Sequence, residues 1–273
     1  MKIKLYSWYD HFTLTQKPKY IEWTKADAPI VFYSDSYVRE AHFDPNPNKC
    51  ALLIEPRSIQ PQVYEYMESN YNKFKYIFTH DSKLLEIAPN AKLIFWGGVY
   101  EFNDIPKTDD ISMVSSDKRM CELHNFRMEL AYYLEQYNVD CMGTFDGGNQ
   151  VDTKTIYAPY RFSVVVENYI DDYWFSEKLC NCFANKTVPI YVGARKIDEI
   201  FDPKGIIQVG YNGRDTIDVI ADIVKKMSPK FAYDIRKEFI DANYERVKDF
   251  TCFEDTFYLQ YKDLLEELEN ESK

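Results

Sequence analysis

The sequence predicts an α/β protein made of two parallel-sheet units with helices at its C-terminal end. Two observations carry that prediction. Apolar runs of strand length alternate with amphipathic stretches of helical length, the pattern that parallel sheets with crossover helices produce. The alternation breaks once, at residues 101–110 (EFNDIPKTDD), a polar segment with a proline and no periodicity, and restarts beyond it. At 273 residues the chain is long enough for two domains, here predicted at 1–105 and 106–273.

In chain order, residues 2–8 alternate Ile3 and Leu5 against Lys2, Lys4 and Tyr6 as a first strand. Residues 29–33 (PIVFY) and 50–54 (CALLI) are short buried-strand runs, the second stopping at Glu55-Pro56-Arg57. Residues 63–74 carry Tyr64, Met67 and Tyr71 at helical spacing, and residues 76–79 and 92–96 add strands around a helix at 82–88. After the polar segment come a strand at 111–115, a long helix at 121–138 and a strand at 139–145. Residues 160–193 follow, the stretch around which the second unit is organised. Phe162, Val164 and Val166 occupy one face of its strand and Ser163 and Val165 the other, as suits a strand covered on both sides. That strand ends in the polar pair Glu167-Asn168, and open α/β sheets bind ligands outside such carboxyl ends. Ser176 is placed to cap a helix carrying Leu179, Cys182 and Phe183, and residues 187–193 (TVPIYVG) form the next strand. A strand at 205–209, a helix at 216–227 and helices from 231 onward, interrupted near Thr251, complete the chain.

Composition narrows the function. Hydrophobic residues make up 45% of the chain, enough for a sizeable core. A formal net charge of −11 with no basic block argues against a nucleic-acid partner, so an anionic ligand must be held by a few placed cations. Six dispersed cysteines without a CxxC pair predict reduced thiols and no structural zinc. The apolar part of MKIKLYSWYD is too short for a signal peptide, and no apolar run reaches transmembrane length, so a cytoplasmic location is expected. No GxGxxG and no GxxxxGK[ST] occurs, which counts against a dinucleotide dehydrogenase or a P-loop enzyme, and no Asp-x-Asp points to a metal–diphosphate clamp. On residues alone, the crevice of strand end, helix N-terminus and Glu177-Lys178 pair reads either as a phosphate site or as ordinary solvated surface.

The motifs decide further. Tyr160-Arg161-Phe162, Val166-Glu167-Asn168, Ser176-Glu177-Lys178 and Val188-Pro189-Ile190-Tyr191-Val192-Gly193 together resemble the donor-binding signature of the α-1,3-fucosyltransferases, glycosyltransferase family 10. Upstream, Val114-Ser115, Arg127, Leu134, Val139-Asp140 and Gly143 are similar to the family's V-S-N…R…L…V-D…G unit, and Glu55 sits where the family has the Glu of its N-terminal domain. The resemblance implies a GT-B fold, two Rossmann-like domains around a cleft. It implies inverting transfer of L-fucose from GDP-fucose to a hydroxyl of a glycan acceptor, with no obligatory metal or cofactor. It assigns Glu55 as general base and Arg127, Glu167, Asn168, Tyr173, Trp174, Glu177 and Lys178 to the donor. Two departures stand out: the family's loop tyrosine falls at Trp174, with Tyr173 one place earlier, and its N-S is Asn168-Tyr169. They leave room for a different nucleotide sugar, and a module that binds without catalysis is the third reading.

Overall fold

The computed structural model describes residues 1–13 and 15–271. The chain divides into two compact units, Met1–Trp96 with Phe250–Lys273, and Gly97–Asp249.

The first unit holds a six-stranded parallel sheet of β1 (Lys2–Tyr6), β2 (Glu22–Thr24), β3 (Ile30–Ser34), β4 (Lys49–Leu52), β5 (Ile77–Thr79) and β6 (Ala91–Leu93), in the order β2-β1-β3-β4-β5-β6. Helices α1 (Pro61–Asn70) and α2 (Ser82–Ile87) lie in its connections. The period-two alternation of the strands sorts the core into two layers. Val31, Tyr33, Ala51, Leu53 and Ile77 pack with Val63, Tyr64 and Met67 of α1 and Leu84 of α2. Ile3, Leu5, Ile30, Phe32, Cys50, Leu52 and Phe78 face the other way. The short β2 and a 3-10 turn at Asp35–Phe43 carry no clear sequence periodicity and were not expected.

The second unit is a five-stranded parallel sheet of β7 (Asp109–Ser115), β8 (Asp140–Gly143), β9 (Tyr160–Val166), β10 (Val188–Val192) and β11 (Ile207–Gln208), ordered β11-β10-β9-β7-β8. Strand order reverses between β7 and β9, the switch point at which doubly wound sheets open a crevice at their carboxyl ends. Its helices are α3 (Glu122–Leu134), α4 (Thr153–Tyr157), α5 (Glu177–Ala184), α6 (Asp215–Lys226), α7 (Pro229–Asp234) and α8 (Lys237–Val247). Two serines in the middle of the sheet are satisfied internally: Ser112 Oγ donates to the Ile156 carbonyl at 2.7 Å and lies 3.0 Å from Ser163 Oγ.

Two expectations need correction. Residues 101–110 are no free linker. The Asn103 amide donates to the Ala184 carbonyl, Lys107 Nζ donates to the Ala158 carbonyl and Thr187 Oγ1 at 2.8 and 3.0 Å, and β7 already begins at Asp109. The last helix, α9 (Phe253–Glu271), does not stay with residues 106–249. Its Phe253, Phe257, Leu265 and Leu268 cover the second layer of the first sheet. Glu254, fully buried, pins that return. Its carboxylate accepts from the Phe12 and Thr13 amides at 2.8 and 3.2 Å, from Thr13 Oγ1, and from Trp23 Nε1 at 3.1 Å.

Candidate active site

The carboxyl end of β9 is built for rigidity. Phe162 to Val166 are buried without exception, and the ladder continues one step further as the Glu167 amide donates to the Val192 carbonyl at 2.9 Å. Glu167 has no exposed surface. Both its carboxylate oxygens are taken by Ser176, the amide at 3.0 Å and the hydroxyl at 2.6 Å. Burial pushes its pKa up, against the opposing pull of Lys178 and Ser176. This carboxylate acts through Ser176: it fixes the loop of residues 168–176 and, with it, the start of α5. The close fit explains Gly193, where an added Cβ would sit 2.8 Å from Glu167 Cγ and 2.2 Å from Tyr191 Oη.

Ser176 is the N-cap of α5, accepting from the Lys178 amide at 3.4 Å and Lys178 Nζ at 3.1 Å. Lys178 also lies 3.1 Å from Glu177 Oε1 and 3.9 Å from Glu167 Oε2. Burial raises the Glu177 pKa, but the Lys178 charge and hydrogen bond outweigh it and hold the carboxyl below its usual range. Burial likewise lowers Lys178, and the two carboxylates more than compensate, so its pKa rises. Both side chains keep about a third or less of their surface exposed, 32% and 26%. A charged Glu-Lys pair therefore stands at a helix N-terminus with its edge open to a ligand.

Arg127 supplies the second cation. It projects from α3, is 5% exposed, and donates from Nη1 to the Val166 carbonyl at 3.1 Å. Burial lowers its pKa and nearby Glu167 opposes the shift; a guanidinium stays protonated regardless. Among the described residues its Nε has no hydrogen-bond partner. A buried, underused cation at a sheet switch point is unusual in a fold stabilised for its own sake, because a desolvated donor left unpaired costs free energy. An anion in the crevice would complete it.

The loop of residues 168–176 holds the remaining expected donor residues, and they differ in orientation. Asn168 accepts from Trp174 Nε1 at 2.9 Å through Oδ1, and its carbonyl accepts from Cys121 Sγ at 3.3 Å. Trp174 is therefore turned into the protein, 4% exposed. Tyr173 is half-buried, donates to Glu199 Oε2 at 3.1 Å, and carries the Lys196 ammonium 5.1 Å from its ring centre. Arg195 and Lys196 pair with Asp172 at 2.8 and 3.0 Å and tie this loop to the turn after β10.

The structure thus brings Arg127, Glu167, Asn168, Trp174, Glu177 and Lys178 to one strand end, with Tyr173 beside them. Glu55 lies in the other unit. It follows β4 at the carboxyl edge of the first sheet, where its amide and that of Ile54 donate to Asp35 Oδ1 at 3.0 and 2.8 Å and its carbonyl accepts from Tyr64 Oη. Asp35, with φ +48°, is buried and singled out by no motif. His124, three residues before Arg127 on α3, is likewise buried and singled out by no motif. Among the described residues no group of three His, Cys, Asp or Glu side chains could hold a metal ion, and no helix is long and apolar enough to cross a membrane.

With this geometry in place, comparisons with known proteins are informative. No curated protein sequence matches the chain. A crystal structure of an α1,3-fucosyltransferase superposes with a TM-score of 0.62 at 16% identity, covering 98% of this chain and 90% of that one. An α1,3-fucosyltransferase structure with GDP-fucose gives 0.57 at 15% identity, covering 98% and 89%. The structure of TarM gives 0.59 at 12% identity, covering 88% of this chain and 54% of that one. At such identities the likeness establishes the fold, which is GT-B, as the resemblance implied. The sequence profile described as Glycosyltransferase family 10 (fucosyltransferase) C-term matches residues 106–229, a span that contains Arg127, the β9 end and the start of α5. That segment, a little under half of the chain, matches glycosyltransferase family 10, and the chain is a glycosyltransferase.

Proposed function

We propose that the protein transfers L-fucose from GDP-fucose to a hydroxyl of a glycan acceptor, with inversion at the anomeric carbon. The observation that carries the reading is the buried Arg127, its Nε without a partner among the described residues, together with Lys178 at the N-terminus of α5. Arg127 and Lys178 take the diphosphate, where paired charge-assisted hydrogen bonds stabilise the negative charge that builds on departing GDP. Glu177 accepts from the ribose hydroxyls, and Asn168 orders the loop around the donor. The acceptor oxygen attacks the anomeric carbon from the face opposite the diphosphate. As the new C–O bond forms, the C–O bond to GDP breaks, and the acceptor's proton passes to Glu55. That the α1,3-fucosyltransferase fold has been crystallised with GDP and with GDP-fucose supports the donor assignment.

Isothermal titration with GDP and GDP-fucose tests the donor. Binding below millimolar ligand is expected, and its absence for both sinks the reading. Glu55→Gln should keep GDP affinity and lose transfer to a glycan library; undiminished transfer removes Glu55 as the base. The inward Trp174, at the position of the family's loop tyrosine, favours a second reading with another nucleotide sugar. Stronger thermal stabilisation by UDP than by GDP would select it.

A further inference from the structure

Cys121 is the N-cap of α3, and His124 and Arg127, three apart within its first turns, are neighbours on the helix surface. The outer two both touch the end of β9: Cys121 Sγ reaches the Asn168 carbonyl at 3.3 Å, and Arg127 Nη1 the Val166 carbonyl at 3.1 Å. His124, between them in sequence and 5% exposed, is near enough to Arg127 and Lys178 to feel both charges. Its Nδ1 accepts from the Met120 amide at 3.2 Å, so the ring proton resides on Nε2. Among the described residues the ring's one hydrogen bond is that at Nδ1, and the buried Nε of the adjacent Arg127 is without a partner. Burial, then the charges of Arg127, Lys178 and Lys118, push the imidazole down to about 4, so the ring is neutral at physiological pH.

We propose that His124 is a further residue of the donor site, a neutral N–H donor to a phosphate oxygen of the nucleoside diphosphate. This rests on the reading of the crevice as a nucleoside-diphosphate site. Its physical merit is directional. Arg127 and Lys178 already supply charge, and a neutral donor adds orientation without a third cation that would hold the product more tightly. The competing role is purely structural, with Nδ1 capping the first turn of α3 through the Met120 amide.

Two substitutions separate the roles. His124→Asn places an amide oxygen where Nδ1 was, which preserves the cap, but its amide nitrogen does not reach the position of Nε2. His124→Gln places its amide nitrogen near Nε2. Calorimetry with GDP should show roughly tenfold weaker binding for His124→Asn with little change in melting temperature, and recovery to within about twofold for His124→Gln. Pyrophosphate, competing against GDP, should lose affinity for His124→Asn by the same factor. Unchanged GDP affinity in His124→Asn, or equal weakening in both variants, overturns the proposal. A loss for GDP without one for pyrophosphate overturns the assignment to phosphate. Failure of the wild-type protein to bind GDP at all is a different result, and it removes the donor reading itself.

Discussion

At the scale of single residues, the candidate site separates groups whose hydrogen bonds are satisfied within the fold from groups proposed to meet a ligand. Glu167 belongs to the first kind, since Ser176 uses both its oxygens. Glu167→Ala strands the Ser176 hydroxyl and amide in a buried place, and a loss of roughly 2–4 kcal/mol is expected, read as a lower melting temperature together with weaker GDP binding. Arg127 is the opposite case. Arg127→Met should leave the melting temperature unchanged or higher, because a desolvated cation with an unpaired donor is replaced by a side chain that packs, while GDP affinity falls by about a hundredfold or more. A matched loss of stability and affinity would place Arg127 in the fold instead. Asp35 carries a pH signature. Burial raises its pKa to about 7, with the Glu55 and Ile54 amides opposing and the Glu55 charge reinforcing the shift, against an unfolded value of 3.8. Between those values the native state holds a proton that the unfolded chain releases, so this contribution to stability is full below about 4 and is lost as pH rises through 7. Asp35→Asn keeps the oxygen that accepts from the two amides. It should therefore raise the melting temperature at pH 8 by on the order of 2–4 °C, and change it little at pH 5. At this scale the polar pair Glu167-Asn168 and the Glu177-Lys178 pair were visible in the sequence. The direction of Trp174 was not, because a hydrogen bond to Asn168 six residues away sets it.

Among elements, α9 shows where sequence reading stops. The spacing of Phe253, Phe257, Leu264, Leu265 and Leu268 gives a helix with an apolar face, but both sheets offer an apolar layer and periodicity does not say which one it covers. The decision is made by long-range groups, with Glu254 receiving Phe12, Thr13 and Trp23 from the far end of the chain. Glu254→Ala leaves those donors buried and unpaired, and should destabilise the protein by roughly 3 kcal/mol, about 6–12 °C in melting temperature. A shift within error would reduce this carboxylate to a bystander. The strands behaved differently. β9 occupies the residues that its Val-rich run marks, since a run covered on both faces leaves little choice of register. The short β2, with no residue buried to the core's degree, offered no such pattern.

Across the whole molecule, both sheets reverse strand order after their first strand, β2-β1-β3 in one and β8-β7-β9 in the other. The two-fold repetition was legible from the alternation of runs. The proposed base and the proposed phosphate ligands each stand at the carboxyl edge of their own sheet, where loops are free to carry chemistry while the strands stay fixed. A net charge of −11 repels an anionic donor at long range, so the cations at the β9 end act at contact distance. The expected consequence is a GDP association rate that does not fall as salt is raised from low to physiological concentration; a steep fall in stopped-flow measurements would point to steering by a basic surface.

The chain enters the second unit at Gly97 and leaves it at Asp249, so one unit is an uninterrupted insert and the other is its split host. The host's two cut ends meet: the rings of Phe95 and Phe250 pack with centroids 6.3 Å apart. The insert can therefore be lifted out as a cassette. Residues 97–249 expressed alone should fold and retain GDP binding, while the host should close over a short glycine-rich splice from residue 96 to residue 250. A cassette with a single entry and a single exit, carrying the proposed donor site, is a unit that recombination can exchange whole while the host sheet stays as it is.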